Sequence, residues 1–164
     1  MSRCHTVKLY YDVISPFSFI GFESLLRHRT VWPIEVELKP VWLPGLFCDS
    51  GNPSPAGACE RKVAYLVNEG ERFGRYFGIP MNLPKNFAHY VTTNSTVEAQ
   101  RLIVAPQKIA PEKMETVSRH LFSRYWIENL PVCREEDIKT VLEKSRVTNL
   151  NEMLEQIKQK DVKE

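Results

Sequence analysis

Ser15-Pro16-Phe17-Ser18 puts two hydroxyl side chains at the spacing of a C-x-x-C redox pair, directly after the β-branched and aromatic run Val7 to Val13 (VKLYYDV). A strand that feeds a helix at a Ser-Pro pair turns the first backbone N–H groups of the helix toward whatever lies in front of them, and an anion is favoured there. With serine at both positions, the pair has no disulfide chemistry of its own. A thiol must arrive with a ligand, its sulfur held by the Ser15 hydroxyl as donor and by the positive potential of the helix terminus. Lowering a thiol from about 8.5 to about 6.5 takes roughly 2.7 kcal/mol in favour of the thiolate. A helix terminus contributes ~0.3 to 1 kcal/mol and at best about 2, against about 1.5 to 3 kcal/mol for a hydrogen bond to a charged group. Ser15 is therefore the larger contribution. The same pair is also an ordinary N-cap and N1 with no chemical role. Tyr10 and Tyr11, just upstream, are rival activators that as strand residues equally serve core or sheet surface.

Other chemistries find little support. Cys4, Cys48, Cys59 and Cys133 form no C-x-x-C and have no nearby histidine in a ligand pattern, which argues against zinc and a local redox pair. They read as buried or incidental thiols, with glutathionylation open to any exposed one. The net charge of +2 arises from 22 basic and 20 acidic residues spread along the chain, so no nucleic-acid footprint forms. No apolar run approaches the ~20 residues that span a bilayer. MSRCHTV has no secretory pattern and DVKE is no peroxisomal address, so a reducing compartment is expected.

The elements that must position Ser15 follow from periodicity. Phe17 to His28 is apolar on most of its circumference, as suits a crossover helix on a sheet. Ile34 to Trp42 alternates Ile34, Val36 and Leu38 against Glu35, Glu37 and Lys39, a second strand. Together these make one βαβ unit. Asp49 to Pro55 (DSGNPSP) is a dense loop signal, and beyond it the chain reads as helical: Glu60 to Tyr76, interrupted at Gly78-Ile79-Pro80 and Pro84. Ser95 and Glu98 have capping-box spacing. Pro111 opens a helix with Met114, Val117, Leu121 and Tyr125 on one stripe, and two short helices fit Glu135 to Lys144 and Leu150 to Lys160. The expected division is residues 1–59 for the βαβ portion and 60–164 for a helical domain.

YYDVISPFSFIGFE resembles the opening of kappa-class glutathione transferases and of bacterial 2-hydroxychromene-2-carboxylate isomerases, which share the fold of the oxidoreductase DsbA. DSGNPSP, RKVAYLVNE, GIPMNLPKNF and the helices after Ser95 follow the kappa-class order, so the likeness spans nearly the whole chain. It implies an α/β fold: the N-terminal βαβ of a thioredoxin-like fold followed by a DsbA-like helical insertion domain, with the second thioredoxin half expected to be absent. It also implies a transferase that conjugates glutathione to small hydrophobic electrophiles or reduces peroxides, with glutathione as substrate and no metal. By the resemblance Ser15 activates the sulfur, Pro16 and Phe17 share its pocket, Asn52 contacts the tripeptide backbone and Lys62 meets a carboxylate. From the residues alone, Asn52 is a turn residue and Lys62 solvated surface. A homodimer, with Phe73, Tyr76, Phe77 and Phe87 as candidate contacts though core packing is the favoured use of each, and a mitochondrial or peroxisomal location belong to the same expectation, with the cytosol as the alternative. Two further readings stay open: a glutathione-dependent isomerase, and a shortened, non-catalytic form that binds a partner or dimerises.

Overall fold

The computed structural model describes residues 4–57, 59–109 and 111–147; the expected helix from Leu150 to Lys160 lies outside them. Strand β1 (His5–Tyr11) and strand β2 (Ile34–Pro40) pair in parallel, Val7 facing Val36 and Leu9 facing Leu38, with helix α1 (Pro16–His28) as the crossover. Among the described residues these are the only two strands. β1 ends two residues earlier than the apolar run suggests, because the Asp12 carboxylate accepts the Ile14 N–H and turns the chain before Pro16 starts α1. Alternation in β2 sets Val36 and Leu38 against the core.

Helix α2 (Leu43–Ser50) and helix α4 (Phe87–Thr93) are additions to what periodicity predicted. α2 has Pro44 in its first turn and Gly51 in the left-handed conformation just past its end (φ 66°), the two punctuation marks of a short helix. It buries none of its residues fully, and its apolar positions, Leu43, Leu46 and Phe47, span little more than one turn before the loop signal at Asp49. A short 3-10 turn (Pro55–Gly57) leads to helix α3 (Glu60–Phe77), which Gly78 closes at φ 63° with Ile79 N–H bonded back to Gly74 O. The chain then crosses back over α3. A Cβ at Gly74 would lie 3.2 Å from Ile79 O, a tight contact that the bare glycine avoids.

Helix α5 (Val97–Ile109) begins one residue later than the Ser95–Glu98 spacing implied. Ser95 Oγ accepts from Val97 N–H, Glu98 pairs with Arg101, and the Thr96 hydroxyl is directed to Asp12 across the fold. A 3-10 turn (Pro111–Lys113) precedes helix α6 (Met114–Trp126), and helix α7 (Glu135–Lys144) ends the described part.

α6 is the centre of the core. Met114, Val117, Leu121 and Tyr125, the stripe expected from spacing, are all buried, as are Ile138, Val141 and Leu142 of α7. Phe122 stacks on Phe19 at 5.0 Å and meets Phe22 at 5.4 Å and Tyr11 at 5.9 Å, so α6, α1 and β1 share one aromatic cluster. Trp126 stacks on Phe87 at 5.8 Å and donates its indole N–H to Val13 O at 2.7 Å, which fixes the end of α6 to the turn before α1. Phe87 is thus core rather than contact surface; Tyr76 is 80% exposed. All four cysteines are free thiols, three exposed and Cys133 half-buried, so of the two readings, buried or incidental, the exposed three are not buried. No described helix is long and apolar enough to cross a membrane.

His120 sits between α6 and α7. Ser145 Oγ already donates to Val141 O, so the His120 Nδ1–H donates to Ser145 Oγ at 2.8 Å. Burial, Lys144 and Arg119 together hold its imidazole below the ordinary 6.5. A depressed folded value favours the neutral ring, so this contribution to stability is complete above pH 6.5 and is lost as pH falls through the lower folded value. The melting temperature of the wild type should fall more steeply below that pH than that of His120→Gln, as read by circular dichroism across a pH series.

Candidate functional site

The turn between β1 and α1 is built from its own side chains. Ser15 N–H donates to Asp12 O at 3.0 Å, and Ser15 Oγ caps α1 by accepting the Ser18 N–H at 3.1 Å. The cap uses a lone pair of the hydroxyl and leaves its proton to be donated elsewhere. Of the first-turn positions of α1, Pro16 has no N–H, Ser18 N–H is held by the cap and Phe19 N–H returns to Ser15 O. That leaves Phe17 N–H, so the helix terminus offers one amide rather than several, and the weight of any anion stabilisation shifts further onto the Ser15 hydroxyl.

In front of Ser15 lies a cleft of about 100 Å³, formed by Ile14, Ser15, Pro16 and Phe17 of the turn, Leu43, Pro44 and Phe47 of α2, Ser54 and Pro55 beyond α2, Leu66 of α3, and Phe87 and Val91 of α4. Its walls are almost entirely apolar, and no charged side chain lines it. Pockets for drug-sized ligands run to roughly 300–1,000 Å³, so this one suits a group the size of a thiomethyl and its neighbours, with the rest of any larger ligand outside. Phe17 at the rim, 36% exposed, meets Phe73 of α3 edge-on at 6.4 Å.

The structure therefore gathers Ser15, Pro16 and Phe17 into one lining. Asn52 and Lys62 stand outside it, both exposed. Asn52 lies two residues before Ser54, its N–H bonded to Phe47 O at the end of α2. Lys62 lies one turn before Leu66 on α3, a spacing that puts the two on one helix face. The rival activators are placed elsewhere. Tyr11, 1% exposed, contributes its hydroxyl to Ser118 at 2.7 Å, and burial raises its ionisation far out of reach of neutral pH. Tyr10 is 63% exposed and is not among the lining residues. Among the described residues no group of three His, Cys, Asp or Glu could hold a metal ion.

One functional candidate escaped the sequence reading. Asp12, 1% exposed, takes hydrogen bonds from Ile14 N–H (3.0 Å), Thr96 Oγ1 (2.8 Å) and Gln100 Nε2 (2.6 Å) on Oδ1, and from Leu43 N–H (2.8 Å) on Oδ2. Burial raises its carboxyl above the usual range while the four donors pull the other way. The signal lay in the D-V-x-S-P string, where an acid closes an apolar strand, but three of its four donors are 31, 84 and 88 residues distant.

A parallel βαβ with a serine-capped crossover helix and a helical continuation is the architecture of a DSBA-like thioredoxin domain, and the model of that family matches residues 6–164. Human glutathione S-transferase kappa 1 is 35% identical over 140 residues, covering 85% of this chain and 62% of that protein. Glutathione S-transferase kappa 2 of Caenorhabditis elegans is 31% identical over 154 residues, covering 94% of this chain and 68% of that protein. A solved 2-hydroxychromene-2-carboxylate isomerase superposes with a TM-score of 0.79 at 19% identity, over 96% of this chain and 73% of that one, a likeness of fold. The chain belongs to the DSBA-like thioredoxin domain family, on its kappa-class glutathione S-transferase branch. It spans about three fifths of the length of the human kappa relative.

Substitutions at Ser15 separate cap from chemistry. Ser15→Ala removes the cap and should lower stability by about 1 kcal/mol, whereas Ser15→Asp keeps a capping oxygen and should match the wild type in a denaturant titration.

Proposed function

We propose that the chain binds glutathione with its sulfur in the apolar cleft and activates that sulfur as a thiolate through the Ser15 hydroxyl, for conjugation to small electrophiles or reduction of peroxides. The observation that carries the reading is the hydroxyl of Ser15, whose cap uses only a lone pair, at a cleft whose walls are almost entirely apolar. In such surroundings a thiolate finds a strong donor and little water to compete with it. The names of the kappa relatives support glutathione as the ligand. The cysteinyl side chain enters the cleft, Pro16 and Phe17 pack against it, and the remaining tripeptide runs over the rim toward Asn52 and Lys62, where a carboxylate meets the lysine ammonium.

The lining also favours one co-substrate class. With no arginine or lysine among the cleft residues, a carboxylate on the electrophile would be desolvated without a partner. Conjugation of an uncharged electrophile is thus preferred over isomerisation of an aromatic carboxylate. The domain division at residue 59/60 fits the same picture, the βαβ portion presenting Ser15 and the helical portion closing the cleft with Leu66, Phe87 and Val91.

Isothermal titration of glutathione tests the reading. The wild type should bind, Ser15→Ala should bind about tenfold more weakly for want of one charge-assisted hydrogen bond, and Ser15→Asp should not bind the thiolate at all. Absence of binding by a cooperatively folded wild type would overturn it. In a conjugation assay, a neutral chloronitroarene should turn over faster than the same ring carrying a carboxylate.

A further inference from the structure

We infer that Asp12 is the positioning residue of the Ser15 cleft: its carboxylate caps helix α2 from across the fold and thereby sets the distance between the two walls that a thiol must enter. Ile14 and Leu43, whose backbone N–H groups it binds at 3.0 and 2.8 Å, both line the cleft, one from the turn before α1 and the other from the start of α2. One oxygen holds the turn that carries Ser15; the other holds the first residue of α2.

α2 needs such an anchor more than the other helices do. Its N-cap residue is Trp42, which makes no side-chain capping bond, and the helix buries none of its residues. A helix of eight residues has little intrinsic stability, so its attachment combines the half-buried Leu43, Pro44 and Phe47 at the cleft with the backbone bonds at its start. There the chain is pinned by Leu43 N–H to Asp12 and by Val41 N–H to Tyr11 O at 2.9 Å. A carboxylate at the N-terminus of a helix satisfies an orphan donor and matches the helix dipole, as a local cap would. Asp12 does this for α2 from a position 31 residues earlier.

The carboxylate is itself held rigid. Thr96 and Gln100, at the start of α5, fix Oδ1 at 2.8 and 2.6 Å. Gln100 is 4% exposed and its Oε1 has no hydrogen-bond partner, so its contribution here is the single bond its amide gives Asp12. Three segment starts, those of α1, α2 and α5, thus converge on one side chain, and two of them form the thiol cleft.

The consequence for thiol chemistry rests on the reading of Ser15 given above; the consequence for α2 does not. Asp12→Asn keeps shape and one acceptor oxygen. Three donors meet Oδ1 and one meets Oδ2, so the amide turns its NH₂ toward Leu43 and the cap on α2 is lost. Hydrogen exchange on the full chain should then show the α2 amides exchanging about tenfold faster relative to those of α6, as for loss of one anchoring hydrogen bond. Tyr11→Phe, which removes a buried bond elsewhere, should leave that ratio unchanged. Leu43→Pro deletes the one N–H at a helix position that accepts proline and should reproduce the Asp12→Asn pattern; it decides the matter if Asp12→Asn fails to fold.

The second readout is the pH at which glutathione bound to the protein ionises, followed by thiolate absorbance. Positioning predicts that Asp12→Asn raises this midpoint, because the α2 wall, released at Leu43, no longer holds the sulfur against the Ser15 hydroxyl. A carboxylate acting only by its charge predicts the opposite shift, since its removal favours the thiolate. Unchanged α2 exchange in folded Asp12→Asn or Leu43→Pro, or a lowered midpoint, overturns the inference. If the wild type binds no glutathione, the function falls while the exchange ratio still judges Asp12.

Discussion

A buried carboxylate that accepts four hydrogen bonds is the constraint around which this chain is arranged. Asp12 lies where β1 stops, and its donors come from the α1 turn, the start of α2 and the start of α5. Burying such a group without partners would cost several kcal/mol; with four donors, that cost becomes a demand for geometry. Each donor must lie within hydrogen-bond reach, so the loops that deliver them cannot drift. The aromatic cluster about Phe122 supplies most of the burial, but apolar contact is non-directional and would tolerate small rotations of α6 against α1. The polar node, together with the bond from Trp126 to Val13 O, removes that freedom.

What the sequence made legible and what it hid divide along the range of the forces involved. The βαβ unit, the stripe of α6 and the single face of α7 follow from period and propensity, and each is found where the spacing put it. Ser15 was legible for the same reason: an N-cap is a local event, settled by Ser15, Pro16 and the N–H of Ser18. α2 was hidden because its apolar positions, Leu43, Leu46 and Phe47, span little more than one turn between the strand pattern and the loop signal at Asp49, too short a stretch for a period to show. Thr96 illustrates the limit well. Beside Ser95 it reads as a capping residue, yet its hydroxyl points to a carboxylate 84 positions away. Asn52 and Lys62 were named through likeness to relatives, and both are exposed and outside the lining of the cleft.

The site combines a polar point with apolar surroundings, and the two derive from different parts of the chain. Ser15 is supplied by the strand-to-helix turn common to thioredoxin-like folds, whereas Leu66, Phe87 and Val91 come from helices that follow the βαβ unit. The division allows the anchoring of the hydroxyl and the shape of the apolar wall to vary independently. A change in α3 or α4 alters what fits in front of the Ser15 hydroxyl without disturbing the cap that holds Ser15.

The three tryptophans differ in a way that makes the molecule its own optical probe. Trp126 is wholly buried with its indole N–H bonded, while Trp32 and Trp42 are 53% and 44% exposed. Buried indoles emit to the blue and resist aqueous quenchers; exposed ones emit to the red and are quenched readily. Trp42 is the N-cap of α2 and lies over Gly45, where a Cβ would come within 2.6 Å of its ring. Any displacement of that helix must therefore change the environment of this indole, and the red, quenchable part of the emission carries a built-in record of where the cleft wall stands.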